Sequence, residues 1–118
     1  RSDVGQLEQL RADLIDAFGS APGEVELLLD VGELRVRAAA TGVESIMLMR
    51  PDVIFRVRDH NKMQNVFDGT MGSVRLADEH TLHWRPPKNY LEMPTLLRVL
   101  LKRFRDNEKK HYTGATRR

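Results

Sequence analysis

Asp13 and Asp16 stand three residues apart in a segment whose apolar residues recur at helical intervals. Residues at that spacing share one face of a helix. Two carboxylates on one face can act as general acid and base if an apolar wall raises one of their pKa values. No neighbouring segment supplies such a wall. The pair reads first as a solvated helix face, and next as a docking surface for basic side chains. His80 and His83 are the only close histidine pair. Three apart on a strand, they point to opposite faces and cannot converge on one metal. Gly69-Thr70-Met71-Gly72 clusters glycines, but it lacks the lysine of a phosphate-binding loop and precedes a strand rather than a helix. No Gly-x-Ser-x-Gly elbow surrounds Ser2, Ser20, Ser45 or Ser73. The absence of cysteine excludes disulfides, Cys-zinc sites, iron–sulfur clusters and thiol nucleophiles. These readings predict a chain that is not an enzyme and takes no cofactor or metal.

The charges are unevenly placed. Residues 1–42 hold eight acidic and four basic side chains, residues 43–93 seven of each, and residues 94–118 two acidic and eight basic. A basic end attracts nucleic acid or an acidic partner. Arg98, Lys102, Arg103, Arg105, Lys109 and Lys110 are the candidates for such contacts, and a solvated helix face explains them as well. Trp84 lies on the same side of its strand as Leu82, which favours core packing. A nucleobase platform flanked by Arg85 and Lys88 is the other reading.

The elements that position these residues follow from periodicity. Leu7, Leu10, Leu14, Ile15 and Phe18 form the apolar face of one helix, stopped by Gly19. A second helix runs from Glu24 to Gly42. Its ridges, Val25-Leu28-Leu29-Gly32-Val36-Ala39 and Leu27-Val31-Leu34-Ala38, predict burial on more than one side. The period then changes to two. Ile46–Met49 and Val53–Val57 read as strands around Pro51-Asp52, and Ser73–Leu76 and His80–Trp84 as a second hairpin around Asp78-Glu79. Asn61–Asp68 reads as a short helix with Met63, Val66 and Phe67 inward. Leu96, Leu97, Leu100, Leu101 and Phe104 line a last helix. The predicted class is α+β: two N-terminal helices, then two β-hairpins each followed by a helix, with helices covering an antiparallel sheet. One domain spans residues 1–107, divided into a helical pair (1–42) and a sheet-and-helix part (43–107). A disordered basic tail is expected over 108–118. The chain starts without Met or a hydrophobic signal core and reads as part of a longer protein. No apolar run is long enough to span a bilayer.

Leu10-Arg11-Ala12-Asp13-Leu14-Ile15-Asp16-Ala17-Phe18-Gly19 is followed by Pro22, Val25 and Leu27-Leu28-Leu29. Leu34-Arg35 and Ala38-Ala39-Ala40-Thr41-Gly42-Val43 come next. This stretch resembles the C-terminal domain of bacterial transcription-repair coupling factor. That family has an acidic residue, two apolar residues, Asp-Arg-Phe-Gly, and then Pro, Val and Leu-Leu at these intervals. The resemblance implies a cytoplasmic bacterial parent with ATP-dependent, helicase-like motor domains that push stalled RNA polymerase off damaged DNA. It implies that this domain does no chemistry. It would pack on a UvrB-like module of the same protein and mask the surface that recruits the repair protein UvrA, with UvrA, RNA polymerase and DNA reached through the parent. By the same resemblance Asp13, Asp16 and Ala17 fall at the clamp. Asp13 is one methylene shorter than the family's usual Glu, and Ala17 replaces its usual Arg. Losing that Arg removes charge-assisted hydrogen bonds of about 1–3 kcal/mol. The rival readings are a nucleic-acid-binding module built on the basic end and a small hydrolase built on Asp13 and Asp16.

Overall fold

The computed structural model describes residues 4–18 and 23–116, with side chains except at 4, 7, 14, 15, 18, 24 and 110–116. Helices α1 (Val4–Phe18) and α2 (Gly23–Ala40) lead into strands β1 (Val43–Met49), β2 (Asp52–Val57), β3 (Ser73–Asp78) and β4 (Thr81–Arg85), and α3 (Thr95–Thr116) closes the chain. The expected stop at Gly19 lies outside the described residues. The strands form one antiparallel sheet in the order β1-β2-β4-β3. Each hairpin is thus preserved, and the two join through β2 and β4.

Alternation explains which face of the sheet is buried. Val53, Phe55 and Val57 of β2 and Leu82 and Trp84 of β4 turn to one side and are almost completely buried. Against them α3 lays Leu96, Leu97, Leu100, Leu101 and Phe104, all buried. Phe67 packs edge-on to Phe55 at 5.3 Å between centroids and lies 5.6 Å from Trp84. Trp84 is a core residue with no exposed surface, so it is not a nucleobase platform. Its indole N–H donates to the Met71 carbonyl at 3.0 Å, as a buried indole requires.

Four expectations are corrected. The segment 61–68 is not an α-helix. It is a 3₁₀ turn at His60–Met63, capped by the Asp59 carboxylate on the Asn61 N–H, and a run of i→i+3 bonds then carries the chain to Thr70. The 3₁₀ turns still bury Met63 and Val66. β1 begins at Val43, three residues earlier than the alternation suggests, because a bulge between Val43 and Ser45 interrupts the period. α2 is not buried all round: Leu29, Leu34 and Ala38 are inside, but Leu27, Leu28 and Val31 are exposed. Finally, α3 remains helical to Thr116, well into the stretch expected to be a tail. One reason is the ion pair between Glu108 and Arg37 of α2, which ties down the turn at which apolar spacing ends.

Gly72 shows why a glycine stands before β3. Its φ is +91°, and a Cβ there would overlap the Arg85 carbonyl and come within 2.8 Å of Pro86 Cα. Among the described residues, no helix is long and apolar enough to cross a membrane.

Candidate docking site

α1 packs mainly on α2, and Glu8 also acts on the Arg105 guanidinium of α3 through its charge. Arg11 holds α1 and α2 together. Its guanidinium lies 2.8 Å from Asp30 Oδ1 and also pairs with Glu26. Arg11 marks the inward side of α1. Residues two and five positions further along lie well round the helix from it. Gln9, Leu10, Asp13, Asp16 and Ala17 occupy that outer stripe, and all are exposed. Asp13 accepts a hydrogen bond from Gln9 Nε2 at 2.9 Å. No cation among the described residues pairs with Asp13 or Asp16. Leu10, expected on the buried face, is 46% exposed and sits one turn before the two carboxylates. The stripe is therefore an apolar side chain beside two unneutralised carboxylates. Among the described residues no apolar wall stands beside the pair to turn it into acid and base.

The basic end is used differently from what its composition suggests. Arg105 forms a bidentate pair with Glu33 of α2, at 2.7 Å from Nε and 2.6 Å from Nη2. Arg37 Nε adds a third bond to Glu33 at 2.7 Å. Burial pushes the Glu33 carboxyl up, but the hydrogen bonds and charges of Arg105 and Arg37 outweigh it and hold the group below 4.5. Arg103 donates to the Val66 carbonyl at 2.9 Å and to that of Asp68. Lys102 pairs with Asp106 at 3.1 Å. Arg98 and Lys109 are exposed, and the Lys110 side chain lies outside the described residues. Of the six candidate cations, Arg103 and Arg105 thus hydrogen-bond within the fold, while Arg98, Lys102, Arg105 and Lys109 recur at helical intervals along one side of α3.

The histidines are also placed apart. His80 Nδ1 lies 3.0 Å from the Val57 carbonyl, whereas His83 Nδ1 lies 3.4 Å from Asp52 Oδ2. Sequence reasoning missed the Glu33, Arg37, Arg105 and Glu108 cluster that anchors α2 on α3. A signal existed: Glu33 and Arg37 stand at i,i+4, and two further charges recur on the inward side of the last helix.

Comparison with known proteins agrees with this architecture. Residues 2–66 match the family model of the TRCF domain. The chain is similar to a solved structure, the crystal structure of the C-terminal domain of transcription-repair coupling factor. The likeness has 16% identity and a TM-score of 0.64, and it covers 93% of this chain and 75% of that one. At that identity it speaks for the fold. No curated protein sequence matches the chain.

Proposed function

The chain belongs to the TRCF domain family, and from that premise we propose that it is the regulatory docking domain of a transcription-repair coupling factor. It packs the outer stripe of α1 onto a UvrB-like module of the same protein and covers the surface that binds UvrA. The observation that carries this reading is the exposed, cation-free pair Asp13 and Asp16 beside Leu10. A carboxylate pair with an apolar neighbour meets an arginine-bearing surface by charge-assisted bonds around a dry contact. A tether raises the effective concentration of such a contact to roughly millimolar, so even a weak docking masks a site. Ala17 adds no charged contact, so the clamp is weaker here than one that retains arginine. Weakness eases release when the parent engages polymerase and DNA.

The test reverses Asp13 and Asp16 to Lys in the parent protein and titrates UvrA. Losing two charge-assisted contacts of about 1–3 kcal/mol each opens the clamp and raises UvrA affinity roughly tenfold or more. Equal UvrA affinity with and without this domain would sink the reading.

A further inference from the structure

α3 and the second half of α2 pack on one face of the sheet, and among the described residues the opposite face is open. The strand registers arrange that face in rows. Met47, Ile54, His83 and Arg75 form one row across all four strands. Met49 and Asp52 start a second, continued by Arg85 and its cross-strand neighbour Ser73. Ser45, Arg56, Thr81 and Asp78 form a third.

The rows are apolar at the β1 end and cationic at the β3–β4 end. Met47 and Met49 are 52% and 54% exposed, beside a half-buried Ile54. Arg75 of β3 and Arg85 of β4 are exposed at the other end beside His83, and Arg56, also exposed, stands on β2 between Ser45 and Thr81. The acids do not balance them. Asp52 already accepts from Arg85 at 2.7 Å and lies 3.4 Å from His83. Arg75 contacts only the His83 ring, at 3.3 Å, among the described residues. Asp78 takes the His80 N–H at 2.8 Å and meets Arg56 only through space.

The residue types narrow the occupant. The rows hold no lysine, glutamate or aromatic residue. Arg and Met are enriched in protein–protein interfaces, whereas Lys and Glu are depleted. Without Phe, Tyr or Trp the face offers no stacking platform for single-stranded nucleic acid. We propose that this face docks an acidic amphipathic helix of a protein partner. Its apolar side chains seat on Met47, Met49 and Ile54, and its carboxylates meet Arg56, Arg75 and Arg85. Strands spaced about 4.8 Å apart put β1 and β3 roughly 14 Å from one another, a span that two to three helical turns cover. The pliable methionines let the face accept more than one apolar pattern.

The test uses the whole 118-residue chain and three labelled probes: a helical peptide with Leu on one face flanked by Glu, its Lys-for-Glu counterpart, and a single-stranded DNA oligonucleotide. Anisotropy titrations should show the Glu peptide binding and the Lys peptide failing. The pair Arg56→Glu with Arg75→Glu should weaken binding at least tenfold, and so should Met47→Ser with Met49→Ser. Circular dichroism confirms that each variant is folded. Asp13→Lys should leave binding unchanged, which separates this face from α1. Three results overturn the proposal: no binding of the Glu peptide, binding retained in both double variants, or tighter binding of the oligonucleotide. Self-association of the chain that the arginine variants abolish also overturns it, because the occupant is then a second copy.

Discussion

Between Val43 and Phe104 the molecule is held by apolar packing. Strand side chains and one face of α3 close around Phe55, Trp84 and Phe104, none of which keeps any exposed surface. The α1–α2 hairpin is held in another way. Only Leu34 and Ala38 of α2 reach that core, and among the described residues α1 contributes nothing to it. Among the described side chains the hairpin is tied by ions: Arg11 to Glu26 and Asp30 within it, and Glu33 and Arg37 to Arg105 and Glu108 across to α3. Apolar burial carries no charge for dilute salt to screen or pH to titrate, whereas ion pairs respond to both. The contrast teaches that the body sets global stability while the hairpin, which carries the candidate docking stripe, is held by adjustable contacts.

The sharpest way to break this division is to empty the body's core. Trp84→Ala should cost about 3–5 kcal/mol, read from the urea midpoint, since it leaves a cavity and an unpaired Met71 carbonyl. If the hairpin carried most of the stability, the loss would be far smaller.

Glu33→Ala strikes the junction instead. Its carboxylate side chain is 7% exposed and serves two guanidinium groups, so removal should cost about 2 kcal/mol, with Arg105 regaining water in part. The pH dependence gives the same residue a second test. The folded-state pKa of Glu33 is lowered, so its contribution is complete above the unfolded value near 4.5 and is lost as pH falls through the folded value. Unfolding measured in steps downward from about pH 5 should therefore show a declining stability, with a shallower slope in Glu33→Gln.

Arg11→Ala should cost about 1 kcal/mol and act locally, speeding amide exchange in α1 while leaving β2 and β4 protected. Uniform acceleration throughout the chain would mean that hairpin and body open together. Smallest of all, Asp13→Lys with Asp16→Lys should move stability by less than about 0.5 kcal/mol, because both side chains are exposed and unpaired with any cation. That near-neutrality is what makes the pair a clean probe of docking.

The fold was most legible where one periodicity ran against one partner. The Leu96-to-Phe104 spacing predicts the buried face of α3, and the alternation in Val53–Val57 predicts the two faces of β2. It was least legible where burial depends on what lies opposite. Leu27 and Val31 continue the ridge of Leu34 and Ala38, but the sheet and α3 cover only the second half of that ridge. Nothing local to Leu27 encodes where its covering ends. Arg105 shows the same limit in the docking site. Composition placed it in a basic patch, and only the approach of α2 turns it into an anchor between the two helices. Asp13 and Asp16 were readable as a shared face, and their lack of cations needed the fold.

Trp84 is the chain's single tryptophan, and it sits wholly in the body. Its emission therefore reports when the sheet and α3 come apart and carries no contribution from the hairpin. Far-ultraviolet ellipticity, by contrast, weighs all three helices. On heating, an ellipticity curve that falls before the fluorescence curve would record the hairpin melting alone, and superimposed curves would record a single cooperative unit. One fluorophore and one backbone signal thus divide the molecule along the line where its cohesion changes from apolar to ionic.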